Sequence, residues 1–338
     1  MKLSILTHPL GLNYGGILQA YALSHYLQKK GHTVTVLNRQ PNKSLLIRMI
    51  KAILVSIGHP RYNDSRYRSL KGFVKKYIPY TKPLYSSRQM INYITTHNCE
   101  AVIVGSDQVW RADFAMRFGF NYFLDFVPNN MKRLSYAASF GLSEWGYTDE
   151  QTQKIKKFVR RFTAISIRED EGLYLCDKYL DVKANQVIDP TLLLCEDDYS
   201  CITSPRIIKD NYIFVYWLGD NLTKQKIIMK ANITDKRVID VSLRDNKKLI
   251  SIENWLSYIK YADKIITDSF HGCVFSIIFQ KQFLIGANSS GGNGRIRSLL
   301  AILGMNANNP IIDYNNITPK LENLRRESYS FLKQALQQ

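Results

Sequence analysis

Acidic residues are scarce. Across 338 residues, 28 Asp and Glu stand against 46 Lys and Arg, which leaves a net charge of +18. A chain this basic is expected to meet anions: a phosphorylated small molecule, nucleic acid or an acidic membrane surface. Part of the excess only solvates helix faces. Cysteine is sparse too. Cys99, Cys176, Cys195, Cys201 and Cys273 are scattered, odd in number and form no CxxC pair. That pattern argues against a disulfide framework or a zinc site and fits reduced thiols in the cytoplasm. No run approaches the roughly 18–20 apolar residues of a membrane span. The opening MKLSILTHPLGLNYGG holds too short an apolar stretch for a signal peptide. The expected location is cytoplasmic, at most peripheral on the inner face of the cell membrane.

What is present is a repeating α/β pattern. Hydrophobic residues make up 45% of the chain, enough for packed cores. KLSILT is followed by a glycine-bearing turn, a helical pattern from about Asn13 to Lys30, and a second strand, HTVTVLN. That is a βαβ unit, so a parallel sheet begins here. AVIVG (101–105), LSYAASF (134–140), AISI (164–167) and NQVID (185–189) continue it, with helical patterns at 149–162 and 169–180. DPTLLLCEDDYS (189–200) reads as a linker. YIFVYW (212–217), RVIDV (237–241), KIIT (264–267) and QFLIG (282–286) then form a second series. The expected fold class is α/β, with two Rossmann-like, doubly wound domains over 1–195 and 196–317 and an interdomain cleft. An amphipathic helix over 318–338 is expected to pack back on the first domain.

The segment 41–80 departs from this rhythm. SLLIRMIKAILVSIG (44–58) mixes apolar residues with Arg48 and Lys51, and more basic residues follow to Lys76. Such a stretch either lies on an anionic membrane surface through 44–76 or packs on the core with a basic outer face. Periodicity alone does not separate the two.

Polar residues gather where strands end, the place at which α/β proteins present function. Asn13, Gly15 and Gly16 occupy the first strand-to-helix turn, which is not a GxGxxG fingerprint, and serve either a connection or a ligand cradle. VGSDQVWR (104–111) offers Asp107 to orient or deprotonate a hydroxyl and Trp110 to stack on a sugar face; the bland alternative is a helix cap. In SIRED (166–170), a cation at Arg168 just before a helix is unfavourable unless an anion or nearby carboxylates offset it. Glu169, Asp170 and Glu171 complement the helix dipole. Of six histidines, His25, His32, His59 and His97 read as surface or turn residues. His8 ends the first strand, within reach of the cleft. ITDSFHG (266–272) puts Ser269, His271 and Gly272 at a strand-to-helix junction. His271 there is either a satisfied core histidine or a group that titrates near neutrality and moves protons. SSGGNGRIRSLL (289–300) presents Arg295 as a loop or helix-entry cation. No metal-ligand cluster stands out. Because the unusual cations sit at strand ends and not on one face, nucleic acid is not the expected partner. Nothing in the sequence sets an oligomeric state.

In this order, NYGGILQAYAL, VGSDQVW, SYAASFG, SIRED, DPTLLL, ITDSFHG and the arginine loop running to Leu303 and Gly304 resemble the polysaccharide pyruvyl transferase family. The likeness covers roughly 1–305. It implies a GT-B-like fold, with the first domain on the acceptor side and the second on the donor side. The implied reaction moves a pyruvyl group from phosphoenolpyruvate onto a sugar or lipid-linked oligosaccharide of a cell-surface polysaccharide, with no cofactor. His271 is then expected as catalytic acid or base, and Asp107 as the residue that positions or deprotonates the hydroxyl. Arg168, Arg295, Ser269, Gly272, Asn13, Gly15, Gly16 and Trp110 are expected to bind substrate. A nucleotide-sugar glycosyltransferase of the same fold and a non-catalytic basic protein are the competing readings.

Overall fold

The computed structural model describes residues 1–11, 13–42, 68–230, 237–241, 249–287, 293–305 and 312–337. The membrane-or-core question for 44–58 lies outside them. All ten apolar runs become strands. β1 (Lys2–Leu6), β2 (Thr33–Leu37), β3 (Ala101–Asp107), β4 (Lys132–Ala138), β5 (Ser166–Ile167) and β6 (Asn185–Gln186) form one parallel sheet, ordered β2-β1-β3-β4-β5-β6. β7 (Tyr212–Tyr216), β8 (Arg237–Asp240), β9 (Lys264–Thr267) and β10 (Gln282–Ile285) form a second, ordered β10-β9-β7-β8 and also parallel. β3 is buried over its whole length. A strand covered on both faces favours small or apolar side chains, which is why AVIVG reads as an unbroken run before the polar end at Asp107.

The first helix, Tyr14–Lys29, starts where Asn13 accepts a hydrogen bond from Gly15 N and buries Ile17, Leu18, Leu23 and Leu27. It belongs by connection to the first sheet, yet its opening turn packs into the second. Tyr14 stacks on Trp255 at 5.5 Å and meets Tyr216 edge-on at 5.9 Å, and its hydroxyl donates to Ile250 O at 2.9 Å. One hydrophobic core therefore runs from Leu3 and Ile5 of β1 to Phe214 of β7 and Phe275. Aromatic contacts of this kind add about 0.5–1.5 kcal/mol each beyond burial.

The stretch 189–200 is no exposed linker. Pro190, Thr191, Leu192 and Leu193 form a buried single turn, and Leu194 is buried after it. The apolar triplet pays for the turn's lack of regular hydrogen bonds by packing under the first helix. The C-terminal helix runs from Tyr314 to Gln337, four residues longer at its start than its amphipathic pattern indicates. Arg325 donates to Leu192 O at 2.6 Å and Leu194 O at 2.8 Å, and Ser328 Oγ accepts from Ile188 N at 3.2 Å. The helix thus clamps the 188–194 segment onto the first sheet. In the basic segment, helix Arg68–Tyr77 buries Leu70, Phe73 and Val74 and turns Lys71, Lys75 and Lys76 outward. Among the described residues, no helix is long and apolar enough to cross a membrane.

A core shared by both sheets should melt as one. Trp255→Ala is expected to cost about 3–5 kcal/mol and to lower a single cooperative transition in thermal unfolding. Two separated transitions, or an unmoved midpoint, would mean that the halves are energetically independent.

Candidate active site

The C-terminal ends of β1, β3, β5, β6 and β9 converge on one spot. Its centre is Asp189, just past β6 and 2% exposed. Its Oδ1 accepts from Thr191 Oγ1 at 2.6 Å and Thr191 N at 3.0 Å. Its Oδ2 accepts from Arg168 Nη1 at 2.8 Å and Ser106 Oγ at 3.3 Å. Four donors satisfy a buried carboxylate fully, and burial notwithstanding its pKa is held below the ordinary range by His271, Arg168 and these donors.

Arg168 follows β5 and is anchored by one of its three nitrogens. Nε and Nη2 have no hydrogen-bond partner, though Glu169 Oε2 lies 3.6 Å from Nε and Asp107 Oδ1 4.0 Å from Nη2. Glu169 is itself pinned elsewhere: its Oε1 accepts from Ser139 Oγ at 2.6 Å and Phe140 N at 3.0 Å. The guanidinium lies over the Phe270 ring at 4.6 Å, and that of Arg295 lies 5.9 Å from the same ring. Burial, reinforced by Arg168, pulls Arg295 down to about 10, and its Nε lacks a hydrogen-bond partner. Two guanidiniums share one aromatic shelf and keep buried N–H groups that no protein acceptor uses, a donor set of the type that suits a carboxylate or phosphate.

His271 stands in the first turn of helix Phe270–Ile278, with Ser269 Oγ as its cap on Gly272 N. Burial pushes the imidazole below its ordinary pKa while Asp189, 3.9 Å from Nε2, works the other way. The ring is therefore neutral at pH 7 without ligand, and Nε2 has no hydrogen-bond partner. The first helix fixes its other side. A Cβ on Gly15 would lie 1.9 Å from His271 Nδ1, so only glycine lets the two helix starts meet. Gly16 faces Asp107, whose Oδ2 would sit 3.5 Å from a Cβ there.

Asp107 ends β3 with φ +68, in the left-handed region, and its Oδ1 accepts from Gln108 N at 2.9 Å. A non-glycine residue held there stores about 1–3 kcal/mol of strain. Burial would raise its carboxyl, but His8, Arg168, His271 and Arg295 together draw it down to about 2. An anion that weakly basic orients and stabilises charge better than it removes protons.

The structure thus brings together His271, Asp107, Arg168, Arg295, Gly15 and Gly16. It gives other expected residues different work. Trp110 is fully buried, donates from its indole to Tyr122 O at 2.9 Å and packs on Phe123 and Phe140, so it stacks on no sugar. Gly272 is required by Thr267, whose Oγ1 would lie 2.2 Å from a Cβ, and not by ligand approach. Asn13 and Ser269 act as helix caps. Asp268 accepts from Leu218 N and Gly219 N at 2.8 and 2.6 Å, bracing the turn after β7. Sequence reasoning passed over Asp189 and Phe270, although both lie inside the quoted motifs DPTLLL and ITDSFHG. A cleft of about 220 Å³ opens beside the cluster, between Gly141, Ser143, Glu169, Glu171 and Arg295. A larger one, along the C-terminal helix at Lys183 and Phe331, gathers none of these groups. Among the described residues no His, Cys, Asp and Glu cluster is arranged to hold a metal ion.

A sequence model of the family described as polysaccharide pyruvyl transferase matches residues 13–290. The chain belongs to the polysaccharide pyruvyl transferase family. The resemblance read from the ordered motifs is borne out, and with it a transferase of polysaccharide biosynthesis. The fold matches solved structures at low identity. A putative UDP-N-acetylglucosamine 2-epimerase from Listeria monocytogenes aligns at TM-score 0.51 and 9% identity, over 96% of this chain and 90% of that one. An alpha-glucosyltransferase solved with UDP and a DNA 13-mer aligns at 0.50 and 10%, over 100% and 93%. The fold is thus that of the GT-B glycosyltransferases and UDP-GlcNAc 2-epimerases, two parallel α/β units as expected. No curated protein matches the chain in sequence.

Removing the partner of a buried cation is costly. Asp189→Asn is expected to destabilise the protein by about 3–5 kcal/mol, read as a lowered denaturation midpoint, whereas Asp113→Asn, on an exposed ion pair, should move it by less than about 1 kcal/mol. Equal effects would refute the central place of Asp189.

Proposed function

We propose that the protein transfers the pyruvyl group of phosphoenolpyruvate to a sugar of a cell-surface polysaccharide or its lipid-linked precursor, forming a cyclic ketal and releasing phosphate. The observation that carries this reading is the pair of buried guanidiniums on Phe270, with unpartnered N–H groups, beside a neutral buried imidazole. Phosphoenolpyruvate carries a carboxylate and a phosphate on one small skeleton, which two such cations suit. His271 then acquires an anion as neighbour, its pKa rises, and it becomes able to protonate the methylene carbon. The resulting oxocarbenium-like centre is attacked by a sugar hydroxyl. Asp107, held ionised, orients that hydroxyl and stabilises the positive centre. A second hydroxyl displaces phosphate and closes the ketal. A lipid-linked acceptor would bring the lysine-bearing face of helix Arg68–Tyr77 toward an anionic membrane surface.

Three outcomes are expected. Lipid-linked oligosaccharides incubated with the protein and phosphoenolpyruvate should gain the mass of one pyruvyl ketal, with stoichiometric phosphate release; no product from any acceptor pool would refute the reading. Titration calorimetry should show binding of phosphoenolpyruvate and none of UDP-sugars, and the reverse result would favour a glycosyltransferase. Because the imidazole pKa is depressed when free and raised when the anion binds, binding takes up protons between those two values and tightens as pH falls through that window. Calorimetry in buffers of different ionisation enthalpy should register the uptake, and His271→Gln should abolish it.

A further inference from the structure

The reaction needs two separate proton movements, and the cluster around Arg168 accounts for one. His271 gives a proton to carbon; something must take one from the attacking hydroxyl. Asp107, drawn down to about 2, is too weak a base to do so efficiently. Beside it stands an unassigned imidazole.

His8 lies two residues beyond the end of β1, at the same edge of the sheet as Asp107. Its ring is wedged edge-on against Phe114 at 5.6 Å and Tyr122 at 5.3 Å. Nδ1 is 3.2 Å from Tyr122 Oη, and Tyr122 Oη is 3.4 Å from Thr7 O. Only one assignment of protons makes both contacts: the phenol donates to Thr7 O, and His8 Nδ1–H donates to the phenol oxygen. Burial pushes the Tyr122 phenol far above its ordinary value, so it stays a neutral donor. The tautomer so fixed leaves Nε2 as a lone-pair acceptor, and that atom is buried without a hydrogen-bond partner. Trp110 holds Tyr122 from behind through Tyr122 O. Among the described residues, the charged groups around this unit are Asp107, Arg39, which acts on the Tyr122 phenol, and Arg111 and Arg117 over the Phe114 ring at 4.7 and 5.5 Å. Next to His8, Thr7 Oγ1 donates to Ser106 O at 3.3 Å, which ties the segment carrying His8 to the end of β3 that carries Asp107.

We infer that His8 is the general base for the acceptor hydroxyl, poised by Tyr122 and stabilised after proton uptake by Asp107. The inference rests on the pyruvyl-transfer reading. As the hydroxyl oxygen bonds to C2, its proton passes to His8 Nε2, giving an imidazolium beside the Asp107 carboxylate. When the second hydroxyl bonds to C2, phosphate departs with the electron pair of the broken C2–O bond and takes the proton from His8. The second hydroxyl returns its proton to His271, so both imidazoles end as they began. This divides the labour between two histidines on opposite sheets.

The test uses the full chain, phosphoenolpyruvate and a lipid-linked oligosaccharide pool, with phosphate release as the assay. His8→Gln is expected to lower kcat by about 10²–10⁴-fold, to leave the phosphoenolpyruvate dissociation constant within two-fold by calorimetry, and to remove the acidic limb of the kcat–pH profile. Tyr122→Phe, which frees the tautomer, should lower kcat less and shift that limb. An active parent whose His8→Gln variant keeps kcat within three-fold, keeps the limb, or loses phosphoenolpyruvate binding would overturn the assignment alone. A parent that neither binds nor turns over phosphoenolpyruvate would overturn both it and the reading beneath it.

Discussion

The ion pair between Arg168 and Asp189 is the constraint on which the site depends. A guanidinium taken out of water costs several kcal/mol unless it is paired with good geometry, and Asp189 supplies that pairing with only one of three nitrogens. The other two are left directed but unused. Asp189 manages this because Thr191 and Ser106 have already absorbed its remaining lone pairs. The pair is thus less a stabiliser than a mount, holding a charged, dry and incompletely bonded cation where an anion can complete it.

The carboxylates around it answer a problem of excess. Arg168, Arg295 and a protonated His271 would repel one another in the absence of ligand. Asp107, Glu169 and Asp189 offset that charge while Ser139, the Phe140 amide and Thr191 hold two of them out of the ligand's way. The neutral state of His271 relieves the rest. On the pyruvyl-transfer reading proposed above, an arriving anion would change that balance in one step and protonate the imidazole as it binds.

Much of this was legible in the sequence. Strands announce themselves as short apolar runs, and all ten did, including β8, which is largely exposed. Arg168, His271 and Asp107 were visible because titratable groups at the ends of buried strands conflict with their surroundings. Asp189 and Phe270 escaped for the opposite reason: an aspartate before proline and a phenylalanine opening a helix look ordinary in one dimension. Their importance comes from partners 21 and more residues away in the chain. Trp110 misled because an aromatic beside a polar cluster suggests stacking, whereas its indole N–H found a carbonyl inside the core. Gly15 was legible as a turn, but that its missing side chain makes room for an imidazole from the other half of the molecule is a fact of three dimensions.

The clamp formed by Arg325 and Ser328 has a consequence for biosynthesis. The segment bearing Asp189 is held against the first sheet by a helix that begins at Tyr314. A ribosome therefore delivers the strands of that sheet, and even the histidine of the second unit, well before the piece that locks them in register. The Asp189 segment therefore receives its Arg325 and Ser328 contacts only after the last helix has been synthesised.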